Sequence, residues 1–259
     1  MNLVLSDKIY VVSNGKNKED VFLRYLKYLN EHVKGFPDTT LKIKKLREFD
    51  KRFEIVIESP EEVFISNLLK KEIGTIREFK DIKEGEIYKG TMTDVGKVGF
   101  GIFMDCAIMN PMTDVLINLH TLRDQLCKGS EKSLKEIVDG YNFIDHFPGL
   151  IKITKIDREN FEVQGEFAPY SLDLFKKILD ENIEAVFLSG ETKGQFKKII
   201  LKKGHFRDII SIKRFGFLEN LVLLKKGTDA PGIIAHIGKK LESCKLSALR
   251  PKRIRKLFK

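Results

Sequence analysis

Gly99-Phe100-Gly101-Ile102-Phe103-Met104-Asp105 is the stretch whose reading decides the fold. Side chains along a strand alternate between faces, so Phe100 and Ile102 share one face and Gly101 and Phe103 the other. The two rings cannot both lie in the core of a regular strand, and at least one is expected to meet a ligand. Glycines beside the rings let a strand bend around a barrel and let another backbone approach closely.

Working outward, Gly85-Glu86-Ile87-Tyr88-Lys89-Gly90 precedes this stretch, and Glu84 to Asp94 alternates as a strand. Val115-Leu116-Ile117 is a short buried strand, followed by Asn118-Leu119-His120-Thr121-Leu122. Leu119 to Val138 reads as helix in two pieces, broken near Lys128-Gly129-Ser130. Leu150 to Asp157 alternates again, and Phe161 to Phe167 follows the turn Asp157-Arg158-Glu159-Asn160. Five strands with a helix between the third and fourth is the order of an oligonucleotide-binding (OB) barrel. The expected barrel domain covers residues 81–167.

These four motifs together resemble the RNA-binding domain first described in bacterial ribosomal protein S-one, an OB-fold subclass. The resemblance rests on the F-G-x-F-x-D run at Phe100–Asp105 and the I-D ending at Ile156-Asp157, and it covers about a third of the chain. It implies that Phe100 and Phe103 stack on bases, with Tyr88, Lys89, Lys97, Asn118, His120 and Arg123 around them. Two positions depart from the family: Asn118 stands where it carries His, and His120 where it carries Ser. The insert from Arg123 to Phe147 is also longer than usual.

The flanking segments share another plan. In residues 1–80, Leu3–Val12 reads as a strand and Asn17–Val33 as an amphipathic helix. Two strands follow around Asp50-Lys51, then a helix with Ser59 as N-cap and Pro60 in its first turn, then a short strand. In residues 168–259, a helix at Leu172–Leu179 leads into a second series of strand, helix, two strands, helix and strand. Both series are βαββαβ, the ferredoxin-like order, which by itself names no function. The expected fold class is therefore α+β: a central five-stranded OB-type barrel between two ferredoxin-like domains. The stretch from Phe217-Leu218-Glu219 through Gly232 also resembles an archaeal family that shares it, which implies an archaeal source and names no biochemistry.

Composition narrows the class. The 259 residues are 42% hydrophobic, enough for real cores. There are 47 Lys and Arg against 37 Asp and Glu, a net charge of +10 that favours polyanionic partners. The tail Arg250-Pro251-Lys252-Arg253-Ile254-Arg255-Lys256 reads as a basic RNA- or ribosome-binding arm, and Arg250, Lys252, Arg253 and Arg255 are its expected contacts. No apolar run approaches the roughly 20 residues that span a bilayer, so no membrane partner is expected and the cytoplasm is the expected location. Cys106, Cys127 and Cys244 form no C-x-x-C pair, and neither a disulfide framework nor a zinc site is expected. The five histidines are scattered and no nucleotide loop or catalytic signature is present. Gathering Asp94, Asp105, Asp114 and Asp157 around Mg²⁺ would require the fold to bring them together.

The expectation is thus an RNA-binding protein, without a cofactor, whose partner is rRNA, tRNA or the ribosome. The alternatives are a metal-dependent RNA-processing enzyme and an assembly module whose barrel docks a protein.

Overall fold

A computed structural model describes residues 1–12, 17–241 and 243–259. The chain divides into two compact units, Met1–Arg77 and Glu78–Lys259.

The first unit contains β1 (Asn2–Lys8), α1 (Lys18–His32), β2 (Thr40–Leu46), β3 (Arg52–Glu58) and α2 (Glu62–Glu72). Asn17 caps α1, its side chain accepting the Glu19 N–H at 2.8 Å. The helix buries Val21, Tyr25, Tyr28 and Leu29, a stripe at helical spacing. The antiparallel sheet runs β1-β3-β2, and a single bridge pairs Thr75 with Leu5 on the free side of β1. That is the ferredoxin-like sheet order with its fourth strand reduced to one bridge. The expected cap at Ser59 is corrected. Its hydroxyl lies 3.0 Å from that of Thr39 and accepts the Glu61 N–H at 3.1 Å, so Ser59-Pro60 form a turn and α2 starts after it.

At the junction of the units lies the two-residue strand β4 (Arg77–Glu78). The second unit continues with β5 (Ile87–Thr93), β6 (Gly101–Met109), β7 (Thr113–Asn118), α3 (Leu119–Cys127), α4 (Leu134–Tyr141), β8 (Pro148–Asp157) and β9 (Glu162–Phe167). β6 pairs with β5 and β7, and β8 with β5 and β9. A parallel pairing of β7 with β9 (Val115↔Val163, Leu116↔Gln164) closes the barrel. Tyr88, Met92, Ile102, Met104, Val115, Ile117, Ile151, Ile153 and Val163 fill its interior. Gly165 gives that interior its room: a Cβ there would sit 2.8 Å from both Ile151 Cγ2 and Val115 Cγ1. The break after Cys127 is a left-handed Lys128 followed by Gly129, and Ser133 opens α4 with a reciprocal capping box to Glu136.

Beyond the barrel come α5 (Pro169–Asp180), β10 (Ala185–Ser189), α6 (Lys193–Lys202), β11 (Ile209–Arg214), β12 (Glu219–Leu224), α7 (Ala230–Gly238), β13 (Lys245–Leu249) and α8 (Pro251–Ile254). The sheet order is β11-β12-β10-β13, all antiparallel, again the ferredoxin-like order. One face packs on α6 and α7 through Val186, Leu188, Val222 and Leu224 against Phe196, Ile200, Ile233 and Ile237. The opposite face, with Ala185, Phe187, Leu221, Leu223 and Leu249, belongs to the same core as the barrel. β10 and β12 are therefore buried along their whole length and read as unbroken apolar runs apart from Glu219, Asn220 and Ser189. Tyr141, Phe143, Phe147, Phe175 and Phe187 pack together across this junction, with Phe147 and Phe187 centroids 4.7 Å apart.

The basic tail is not an arm. Pro251–Ile254 is a helical turn continued by a 3₁₀ turn at Arg255–Phe258, and Ile254 and Leu257 are buried. Leu257 lies over Gly140 of α4, where a Cβ would stand 2.6 Å from Leu257 Cδ1. Only the outward side chains of this segment meet solvent.

Candidate nucleic-acid interface

β6 presents two faces. Ile102 and Met104 point into the barrel, whereas Phe103 lies half-buried on the outer face. Phe100 stands just before the strand, in a bend where the alternation has not begun, and is 55% exposed. Both rings therefore reach the outer surface, in edge-to-face contact at 6.0 Å. Gly101 sits between them because β7 is paired close alongside. A Cβ at Gly101 would collide with the Ile117 carbonyl oxygen and stand 2.7 Å from Leu116 Cδ1. In the barrel register Phe103 lies opposite Thr93 on one side and Leu116 on the other. The patch is a shallow aromatic and aliphatic floor on the β6–β7 face, the face OB barrels use for oligonucleotides.

The corner from β7 into α3 closes one end. The Leu119 N–H donates to the Phe100 carbonyl at 2.8 Å. Asn118 caps α3, its Oδ1 accepting the Thr121 N–H at 2.9 Å. His120 projects into solvent with Nε2 3.4 Å from Asp124. Arg123 folds back to donate from Nε to the Lys132 carbonyl at 2.7 Å.

The loop carrying Phe100 is held at its other end. Asp145 accepts the Val95 N–H and the Lys245 ammonium, both at 2.9 Å. Burial raises the Asp145 pKa, but those two donors outweigh it and hold the carboxyl below its ordinary value. Lys245 is on β13, so the loop is tied to the C-terminal sheet. Lys97, on the same loop, donates to Asp94 at 2.6 Å, and that contact raises its pKa.

Of the remaining expected contacts, Lys89 is half-buried on β5 and Tyr88 is buried in the barrel with its hydroxyl on Glu86. Tyr88 faces inward because it is in register with Ile151, itself a core residue, so its ring is not available for stacking. Arg250 is held by Glu184 at 2.9 Å and Asp229 at 3.2 Å. Arg255 donates to Asn182 Oδ1 and the Leu179 carbonyl, each at 2.6 Å. Lys252 and Arg253 are exposed.

The four aspartates do not converge as a metal site. Asp94 holds Lys97, Asp105 accepts the Ala107 N–H, and Asp157 caps its own turn through the Glu159 and Asn160 N–H groups. Among the described residues no group of three or more His, Cys, Asp or Glu side chains is placed to hold a metal. Cys106 and Cys127 are buried, and burial pushes the Cys127 thiol up to about 11.

Charge is unevenly distributed along the chain. Residues 81–167 hold 10 Lys and Arg against 15 Asp and Glu, a net −5. Residues 168–259 hold 21 against 9, a net +12, and residues 1–80 hold 16 against 13. The positive excess thus belongs to the C-terminal domain and not to the barrel. The fold also joins two histidines 31 positions apart: His205 Nε2 lies 3.0 Å from His236 Nδ1, and Asp208 holds His205 Nδ1 at 2.9 Å.

A comparison with curated proteins finds no match. Among solved structures, uncharacterized protein MJ1198 from Methanocaldococcus jannaschii is similar at 18% identity over 34% of this chain and 96% of that chain, TM-score 0.24. A chain of the a/eIF2alpha-aDim2p-rRNA complex from Pyrococcus horikoshii is 11% identical over 49% of this chain and 70% of its own, TM-score 0.26. The intact alpha subunit of aIF2 from Pyrococcus abyssi is 9% identical over 65% and 97%, TM-score 0.24. At such scores these likenesses carry no functional argument. The family models are more specific: the DUF2110 central domain matches residues 82–179 and the DUF2110 C-terminal domain residues 183–249. With both domains in order over well over half its length, this chain belongs to the DUF2110 family.

Proposed function

We propose that this protein binds RNA, taking a single-stranded segment across the outer β6–β7 face of the barrel while the basic C-terminal domain adds affinity. The observation that carries the reading is the exposed Phe100 ring with the half-buried Phe103 against it on that face, set close beside β7 at Gly101. A base stacked on an aromatic ring contributes about 1–3 kcal/mol, and stacking tolerates any base. The setting attached to this is translation, ribosome assembly or RNA processing, as the resemblance of the barrel motifs implies.

The barrel's net −5 divides the work. Stacking, and not Coulomb attraction, holds RNA on the barrel, and the +12 domain supplies the long-range pull. The same negative balance favours a second reading, in which the aromatic patch docks a protein. Fluorescence anisotropy of a labelled twelve-nucleotide oligouridylate at 50 and 200 mM salt separates the two. The RNA reading expects binding that weakens steeply between those concentrations. Absent or salt-independent binding refutes it and leaves the protein-docking reading.

A further inference from the structure

Between Lys193 and Lys226 the chain carries ten Lys and Arg and only two acidic residues. Of those two, Glu219 is buried and the partly exposed Asp208 is held by His205. Among the described residues, none of the α6 lysines Lys193, Lys197, Lys198 and Lys202, nor Lys203 just after the helix, meets a carboxylate. Such a run leaves its charge fully expressed to an outside anion.

A groove of about 280 Å³ lies between α6 and β11. Lys193, Lys197 and Leu201 line one wall, at successive i, i+4 positions about 6 Å apart along the helix axis. Phe206, Ile210 and Ser211 line the other. Three large apolar side chains stand exposed within it, Phe206 at 64%, Ile210 at 48% and Leu201 at 46%. The ring of Phe206 is carried on a fixed turn. His205 beside it is held by Asp208 and His236, and the Asp208 carbonyl accepts the Lys225 N–H at 2.8 Å. A turn tied in this way orders the aromatic before any ligand arrives.

Two features favour RNA over an acidic peptide added as a strand to β11. The register breaks at Ile210, with Ile209 opposite Leu224 and Ser211 opposite Leu223, and a bulged edge resists strand addition. The combination of unpaired lysines along one wall with an exposed ring on the other matches the phosphate-and-base demand of a single strand. We infer that the α6–β11 groove is a second single-stranded RNA site, with phosphates along Lys193 and Lys197 and a base on Phe206. The inference rests on the RNA reading above and names the part of the chain that supplies its salt-dependent share.

The test uses the full chain and the same oligouridylate, lengthened to twenty-four nucleotides, titrated from 50 to 400 mM salt. The double variant K193Q/K197Q removes two single-strand phosphate contacts, each contributing about 0.7 to the slope of log affinity against log salt. The slope is expected to fall by about 1.4, and affinity at 100 mM salt by roughly 25-fold. Phe206→Ala is expected to weaken binding with the slope unchanged, because it removes a stacking contact and no charge. All three side chains are exposed or half-exposed, so thermal unfolding remains at the wild-type temperature. A wild-type slope and affinity in both variants, with binding intact, overturns this site and leaves the barrel reading standing. Absence of binding by the wild-type chain removes both. Displacement of the RNA by poly-glutamate at equal concentration from the wild type, but not from K193Q/K197Q, assigns the groove to an acidic polypeptide instead.

Discussion

Gly101→Ala tests whether β7 truly lies against the strand that carries the aromatic pair. The added methyl would overlap the Ile117 carbonyl oxygen, stand 2.7 Å from Leu116 Cδ1 and 3.1 Å from the Asn118 Cα. Leu116 can rotate its methyl away, but the other two atoms belong to the β7 backbone. Relief therefore requires β6 and β7 to part at the Gly101↔Asn118 pair, and Asn118 also caps α3. Overpacking of this kind costs about 1–3 kcal/mol. Replacing glycine returns about 0.5–1 kcal/mol through the less mobile unfolded chain. The net loss is roughly 1–2 kcal/mol, which at a urea slope of about 2–3 kcal/mol per M moves the midpoint down by roughly 0.5 M. Urea unfolding followed by circular dichroism reads that shift. Gly99→Ala, two residues earlier, meets nothing within 4 Å and serves as the control, its midpoint raised by the glycine term alone, about 0.2–0.4 M. An unchanged or raised midpoint for Gly101→Ala would refute the close approach, and with it the backing of the Phe100–Phe103 patch.

Two further outcomes follow from other parts of the molecule. Leu257→Ala opens a cavity over Gly140 and is expected to cost about 2–3 kcal/mol, the lower part of the range because the site is near a terminus. Trypsin should then cleave after Lys252 and Arg253 faster than in the wild type, and wild-type cleavage with an unchanged Tm would mean that the tail is not docked. The second concerns Asp145, whose folded pKa lies below its ordinary 3.8. A depressed carboxylate contributes stability that is complete above its unfolded value and lost as pH falls through its folded one. Lys245→Met should lower Tm at pH above the ordinary carboxyl value of 3.8, with the difference from wild type closing as pH falls below it through the lower folded value. A difference independent of pH would show that Lys245 acts through packing and not through Asp145.

Much of the fold is legible in residue order, for identifiable reasons. Alternation along Gly101–Met104 puts Ile102 and Phe103 on opposite faces, as found, because β6 is regular there, but it does not say which face enters the barrel. Phe100 reaches the surface for a different reason, a bend before the strand that alternation does not describe. Tyr88 illustrates the limit of period-two patterns: Ile87 and Tyr88 are both apolar, and only the register with β8 decides which one enters the barrel. In the tail, six basic residues hide a helical pattern, Pro251, Ile254 and Leu257 at three-residue spacing, that buries one side. The partners of Arg250 and Arg255 lie 66 and 73 positions away, at Glu184 and Asn182, and no local pattern announces them. The charge partition needed no structure at all. Counting Lys, Arg, Asp and Glu by segment separates the acidic barrel from the basic C-terminal domain, a contrast that the whole-chain +10 conceals.

The central claim is that the barrel face binds single-stranded RNA through Phe100. Its most direct test is the affinity of Phe100→Ala for the twelve-nucleotide oligouridylate at 50 mM salt, measured beside its Tm. Loss of one stacked base predicts an affinity roughly 5- to 160-fold weaker, with the Tm of the wild type, since the ring is 55% exposed. Wild-type affinity, or a collapsed Tm with normal binding by the folded fraction, would contradict the claim.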